Sequence, residues 1–280
     1  MDGISSTMAA LAMVVQGGLA SEGGLCGPPI PGEDQLRSAI VLLGETHGTK
    51  EIPASFGGLV CRSASAKPDA RLLVGLEMPS SSQASIDAFL ESDGGEPARQ
   101  GLLKTAFWQR EYQDGRSSGA MVDLLSALRS YRKAGLKIVV RGIDPEASWT
   151  AGRDAGMAAA IDQAIEEIHP TATLVLVGDV HSRMLKGYPW EPSADYVPFG
   201  AQLKTKHGDV LGLSVKAARG TAWICTSGAA SECGSKRARV FEFTGATPRF
   251  ALDAEAAGRT GWSGTLYLDE LTASKPAAQP

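Results

Sequence analysis

The chain has 280 residues, 43% of them hydrophobic and 21% charged, with a formal net charge of −4. That length can bury a substantial core, so one large α/β domain is a sufficient account and wholesale disorder is excluded. The nearest thing to a basic patch, Lys236-Arg237-Ala238-Arg239, reads as a solvated turn before a strand rather than a nucleic-acid footprint. No stretch approaches the ~20 apolar residues of a membrane span.

Met8 to Ala20 is a short apolar segment running into small residues. It resembles the core and cleavage region of a secretory leader, although the basic residues expected before it are missing, or else a disordered start. Residues 1–25 are therefore set apart, residues 26–270 are taken as a single α/β domain, and 271–280 as a disordered tail. The four cysteines form no Cys-x-x-Cys pair, which gives a zinc ribbon or thioredoxin motif little support. Cys26 lies just before the first strand and Cys61 on the helix after it, while Cys225 and Cys233 flank a small polar loop. These two local pairings predict disulfides, an oxidising compartment and an exported protein, periplasmic or secreted.

Four short apolar runs read as buried strands: Ala39–Gly44, Arg71–Glu77, Leu136–Ile143 and Thr173–Gly178. Between them the spacing predicts helices over Ile52–Ala66, Ser81–Glu91, Ser117–Lys133 and Ala151–Ile168. A serine run precedes the second as a candidate N-cap, and Gly135 ends the third. Strands alternating with helices predict a mostly parallel sheet covered on both faces, with extra strands in the C-terminal third.

Each strand runs into a glycine followed by an acid or a histidine. The endings are Gly44-Glu45-Thr46-His47, Gly75-Leu76-Glu77, Gly142-Ile143-Asp144 and Gly178-Asp179-Val180-His181. The first and last are near copies, VLLGETH against VLVGDVH. Ligands of open parallel sheets bind outside the carboxyl ends of the strands, so Glu45, His47, Glu77 and His181 are the candidate catalytic group. Only four histidines occur. His169, at a helix end before proline, and His207, in a polar turn, read as structural.

In order along the chain stand GETHGTKE at Gly44 to Glu51, GLEMP at Gly75 to Pro79, Phe107-Trp108 with Asp114-Gly115-Arg116, and GDVHS at Gly178 to Ser182. With these the chain resembles the superfamily of erythromycin esterases, ChaN haem-binding lipoproteins and Tiki/TraB proteins. The resemblance implies an α/β fold with a cleft at one sheet edge, and His47 as general base partnered by Glu45 or Glu77. The chain departs from the esterases in length, lacking the extra helical portion that covers a macrolide, which argues against a large antibiotic substrate.

Three chemistries fit these residues. A metal-free hydrolase would use His47 to activate water for attack on an ester or amide of a small molecule or peptide, with Arg116, Asp144, Trp108 and Asp179 contacting substrate. A metal hydrolase would bind Zn or Mn through His47, Glu77 and His181, leaving room for water. A binding protein would take haem or another iron compound, with Tyr112, Tyr188 or Tyr196 as axial ligand and Phe107, Trp108, Trp149 and Trp190 lining the groove. The converging acids favour the first two. The aromatic, proline-rich loop Arg183 to Phe199 is expected to cover the cleft.

Overall fold

The computed structural model describes residues 24–146 and 152–278. The leader reading of Met8 to Ala20 and the groove reading of Trp149 lie outside them. β1 (Ile40–Glu45), β2 (Leu72–Pro79) and β4 (Ala172–Gly178) are buried almost throughout, as their unbroken apolar runs require, and β3 (Ile138–Asp144) is buried in alternation. With β5 (Val210–Cys225), β8 (Gly264–Leu271) and β7 (Arg249–Leu252) they form a sheet of order β3-β2-β4-β1-β5-β8-β7. All neighbours are parallel except β7 on β8, while β6 (Cys233–Arg237) folds back on β5 as a hairpin. Lys236 and Arg237 thus close a strand instead of forming a turn ahead of one.

Helices cover both faces, sorted by strand alternation. Val41, Leu43, Val74 and Leu176 pack with α1 (Glu51–Ala66), α2 (Gln83–Glu91) and α5 (Gly119–Lys133). Ile40, Leu42, Leu73, Val175 and Val177 pack with α6 (Arg153–Ile168) and α7 (Phe199–His207). Two short helices, α3 (Glu96–Leu103) and α4 (Ala106–Gln109), join α2 to α5, and α8 (Ala254–Thr260) precedes β8. The serine run forms a 3₁₀ turn, Ser80–Ser82, and Ser82 occupies the N-cap position of α2 without a side-chain capping bond.

The two disulfides are Cys26–Cys61 and Cys225–Cys233, a pattern compatible with an oxidising compartment. No helix among the described residues is long and apolar enough to cross a membrane. The expected loose tail is corrected over its described part. Ala273 bridges Thr49, Pro276 bridges Ser118, and the Ala277 amide donates to Ser117.

β1 and β4 are hydrogen-bonded neighbours, yet the chain leaving β1 goes to the α1 face and the chain leaving β4 goes to the α7 face. Connections that part in this way open a crevice at the carboxyl ends of the strands. His47 follows β1 and His181 follows β4, so both stand at its mouth.

Candidate functional site

The convergence centres on Gly178. A Cβ built there would lie 3.0 Å from His47 Nε2, 3.4 Å from Glu77 Oε2 and 3.4 Å from His181 Cδ2. Three segments distant in sequence therefore meet over one hydrogen atom, and glycine is what leaves room for them. Glu45 completes the group: its carboxylate lies 2.9 Å from His47 Nδ1 and is buried, whereas the imidazole side chain keeps 21% of its surface exposed. Acceptance by Glu45 fixes the proton of the neutral ring on Nδ1 and leaves Nε2 as its acceptor, 3.6 Å from Glu77 Oε2.

Behind the imidazoles lies a buried ionic lattice. Arg153 donates to Glu77 at 2.6 Å, to Asp144 at 2.7 Å and to His181 Nε2 at 3.0 Å. Arg116 donates to Asp144 at 2.8 Å and to Asp114 at 2.8 Å, and stands 3.5 Å from Glu77. Glu77 also accepts from the Gly178 amide at 2.6 Å. His181 Nδ1 meets Asp154 at 2.8 Å, and that carboxylate also accepts from the Tyr196 hydroxyl and the Phe199 amide. Since Arg153 can only donate, His181 accepts at Nε2 and donates from Nδ1 to Asp154. Burying this many charges is tolerable because each has partners of opposite sign.

The electrostatics follow from that lattice. Burial opposes the charged form of His47, but the charges of Glu77 and Glu45 and the Glu45 hydrogen bond outweigh it and raise its pKa above the ordinary 6.5. Burial would raise Glu77 too, yet the charges around it, the permanent cations Arg153 and Arg116 among them, hold it well below the usual carboxylate range. Glu77 is thus a fixed anion.

Of the expected site residues, Glu45, His47, Glu77, His181, Arg116 and Asp144 are brought together. Trp108 is not: its side chain is fully buried in the core, edge-to-face with Phe107, so it cannot line a substrate groove. Asp179 is also outside the cluster. The matching motifs VLLGETH and VLVGDVH pair one residue out of step, Glu45 lying opposite Gly178 and Gly44 opposite Val177. Successive residues of a strand face opposite sides, so this slip turns Asp179 away from Glu45. Its Oδ1 lies 2.7 Å from where a Cβ on Gly44 would stand. Arg153 and Asp154 belong to the cluster unannounced by any motif, joined by Asp114, which entered only through the Asp-Gly-Arg turn, and Tyr196, expected only as a haem ligand. An adjacent Arg-Asp pair at the start of an Ala-rich helix was the available signal. His207 pairs with Asp162 on α6, and His169 caps α6 in a left-handed conformation, as structural histidines do.

The metal set does not fit. His181 Nε2 accepts from a guanidinium, two cationic side chains flank Glu77, and no three-ligand group able to hold a metal occurs among the described residues. The residues named for haem do not gather on one slot either. The Tyr112 hydroxyl donates to Ser227 and that of Tyr196 to Asp154. Tyr188 stacks between Tyr196 and Trp190, at 4.2 and 5.1 Å. That stack belongs to the loop Arg183 to Phe199, which borders the cluster through Tyr196.

No family model matches the chain, and no curated protein matches it in sequence. Among solved structures, a mutant of the erythromycin esterase EreC in its open conformation superposes with a TM-score of 0.66, at 12% identity, over 88% of this chain and 94% of that one. The chain has the erythromycin esterase fold. The same fold is shared with a succinoglycan biosynthesis protein, with a TM-score of 0.61, 9% identity and coverage of 87% and 91%. A protein from Bacillus cereus superposes at 0.54, with 12% identity and coverage of 87% and 91%. Across the erythromycin esterase fold at such identities it is the architecture that is shared, with strands β1 to β4 delivering the cluster here.

Proposed function

We propose that the chain is a metal-free hydrolase that activates water with His47 and cleaves an ester. One observation carries this reading: the partly exposed imidazole is oriented through Nδ1 by buried Glu45, with its acceptor nitrogen turned towards the crevice at Gly178. A neutral imidazole held in that way takes a proton from water as the oxygen attacks the ester carbonyl, and Glu45 stabilises the imidazolium that forms. Arg116 and Arg153, paired with Glu77 and Asp144, hold the carboxylate behind the imidazole in a fixed place. The imidazolium then returns its proton to the departing alkoxide. An exported location, periplasmic or secreted, fits the paired cysteines.

The test is hydrolysis of a panel of p-nitrophenyl esters and lactones by the wild type and His47→Ala, with and without chelator. Loss of a general base predicts a fall in kcat/KM of about 10²- to 10⁴-fold, and no response to chelation. Equal rates for wild type and variant, or activity abolished by chelation and restored by added metal, would overturn the reading.

A further inference from the structure

Strand alternation leaves a second part of the sheet that α6 and α7 do not cover, with only the short helix α8 beside it. On β5, Leu213, Val215 and Ala217 enter the core shared with α1 and α5. Ser214 and Lys216 alternate with them and face the other side, which α6 and α7 cover only as far as Val210. A cavity of about 630 Å³ lies there, with Asp179, Ser214 and Lys216 on its floor and Arg239, Phe241 and Trp262 on its walls.

The chemistry of this cavity is unusual for an accidental gap. Asp179 carries a raised pKa, about 6, because burial outweighs its hydrogen bond from Ser214 and the charges of Arg239 and Lys216. Its Oδ1 is buried with no hydrogen-bond partner among the described residues. The two cations lie over the Phe241 ring, at 5.6 Å for Lys216 and 5.0 Å for Arg239. Trp262 is fixed at the wall by its indole N–H, which donates to Ser182 Oγ at 3.0 Å. Asp253, at the rim, is engaged in capping α8 through the Ala256 amide. An acid with one oxygen unpartnered among the described residues, two cations set against a ring and a clamped indole thus surround one space.

We propose that this cavity is a second binding site, distinct from the His47 cluster, for a small zwitterion with a flat apolar body. Its ammonium group is held by Asp179, its acidic group by Lys216 and Arg239, and its body lies against Phe241 and Trp262. An incoming ammonium donates to that desolvated Asp179 oxygen, and an acidic group completes the two cations.

The experiment is calorimetric titration of the full chain, in the His47→Ala background so that binding is read without hydrolysis. The probe is 4-(aminomethyl)benzoate, whose charges sit at opposite ends of a ring, with benzylamine and p-toluate as single-ended controls. Saturable binding is expected, with each control at least about tenfold weaker, the worth of one charge-assisted hydrogen bond. Asp179→Asn is expected to weaken the probe about tenfold and leave p-toluate unchanged; Lys216→Met should weaken the probe and p-toluate and spare benzylamine. No saturation at millimolar probe, controls that bind as tightly as the probe, or affinity untouched by both substitutions in folded variants would each overturn the assignment. None of these outcomes bears on ester hydrolysis by His47.

Discussion

His47 and Glu45 form the smallest unit whose properties can be varied separately. Glu45 raises the pKa of His47 both by its charge and by its hydrogen bond, and His47 must be neutral to accept a proton. Activity therefore rises with pH through a midpoint above 6.5. Glu45→Gln removes the charge, so that midpoint moves to lower pH, while the loss of imidazolium stabilisation lowers the plateau. A pH–rate profile read beside an NMR titration of the His47 ring checks both, and an unmoved midpoint would refute the coupling. Gly178→Ala tests the crevice itself. Its Cβ would press on His47 Nε2 at 3.0 Å, against side-chain ends that can give way without unfolding β4. A misplacement of a few tenths of an ångström at the reacting centre is expected to cost activity about tenfold or more, with a melting temperature close to wild type. A variant of undiminished activity would mean that the space beside Gly178 is not where the reaction occurs.

The elements explain why some of this was legible in the sequence and some was not. Strands β1 to β4 stood out because a strand buried on both faces must be an unbroken apolar run, and their endings stood out because acids and histidines rarely follow such runs without a reason. Register was not legible: the twin motifs suggested that Glu45 and Asp179 are equivalent, and only the one-residue slip between β1 and β4 separates them. Arg153 was hidden because a helix start carries charge for many reasons. The α4 turn that buries Trp108 is too short to show a period. The hairpin of β5 and β6 was equally silent, yet it touches the site. The Trp223 amide donates to Gly48 at 2.9 Å, its indole donates to Gln113 at 3.0 Å, and Tyr112 donates to Ser227 at 3.0 Å. The two disulfides should therefore differ in kind. Cys26–Cys61 closes a separation of 35 residues and Cys225–Cys233 one of 8. Loop-closure entropy makes the first worth about 4 kcal/mol and the second about 2–3 kcal/mol. Serine pairs at each bridge should show the larger loss of stability for the first and the larger loss of kcat for the second, measured by urea unfolding and ester turnover. Equal kcat for the two variants would mean that the hairpin does not support the His47 loop.

At the scale of the whole molecule, the last residues of the described chain tie two of the site's loops together. Helix α5 begins just after the Asp114-Gly115-Arg116 turn, and its first-turn amides have no partners inside the helix. The C-terminal segment supplies them: Gly119 donates to the Lys275 carbonyl at 2.8 Å and Ala120 to Ser274 Oγ at 2.9 Å. The same segment holds the loop after β1, where the Ser274 amide donates to Gly48 at 2.8 Å and Thr272 to Glu51 at 2.7 Å. Ser274 is buried and so acts as a cap delivered from 154 residues away, in place of a local N-cap that Ser118 does not provide. Removing that hydroxyl by Ser274→Ala leaves a buried amide without an acceptor and is expected to cost about 1 kcal/mol in urea unfolding. Deleting residues 272–280 removes the whole clamp, frees Gly48 beside His47 as well as the start of α5, and should lower kcat along with stability. If that deletion unfolds at the wild-type midpoint with wild-type turnover, the C-terminal strap is an ornament and the His47 loop owes its position to β1 and the hairpin alone.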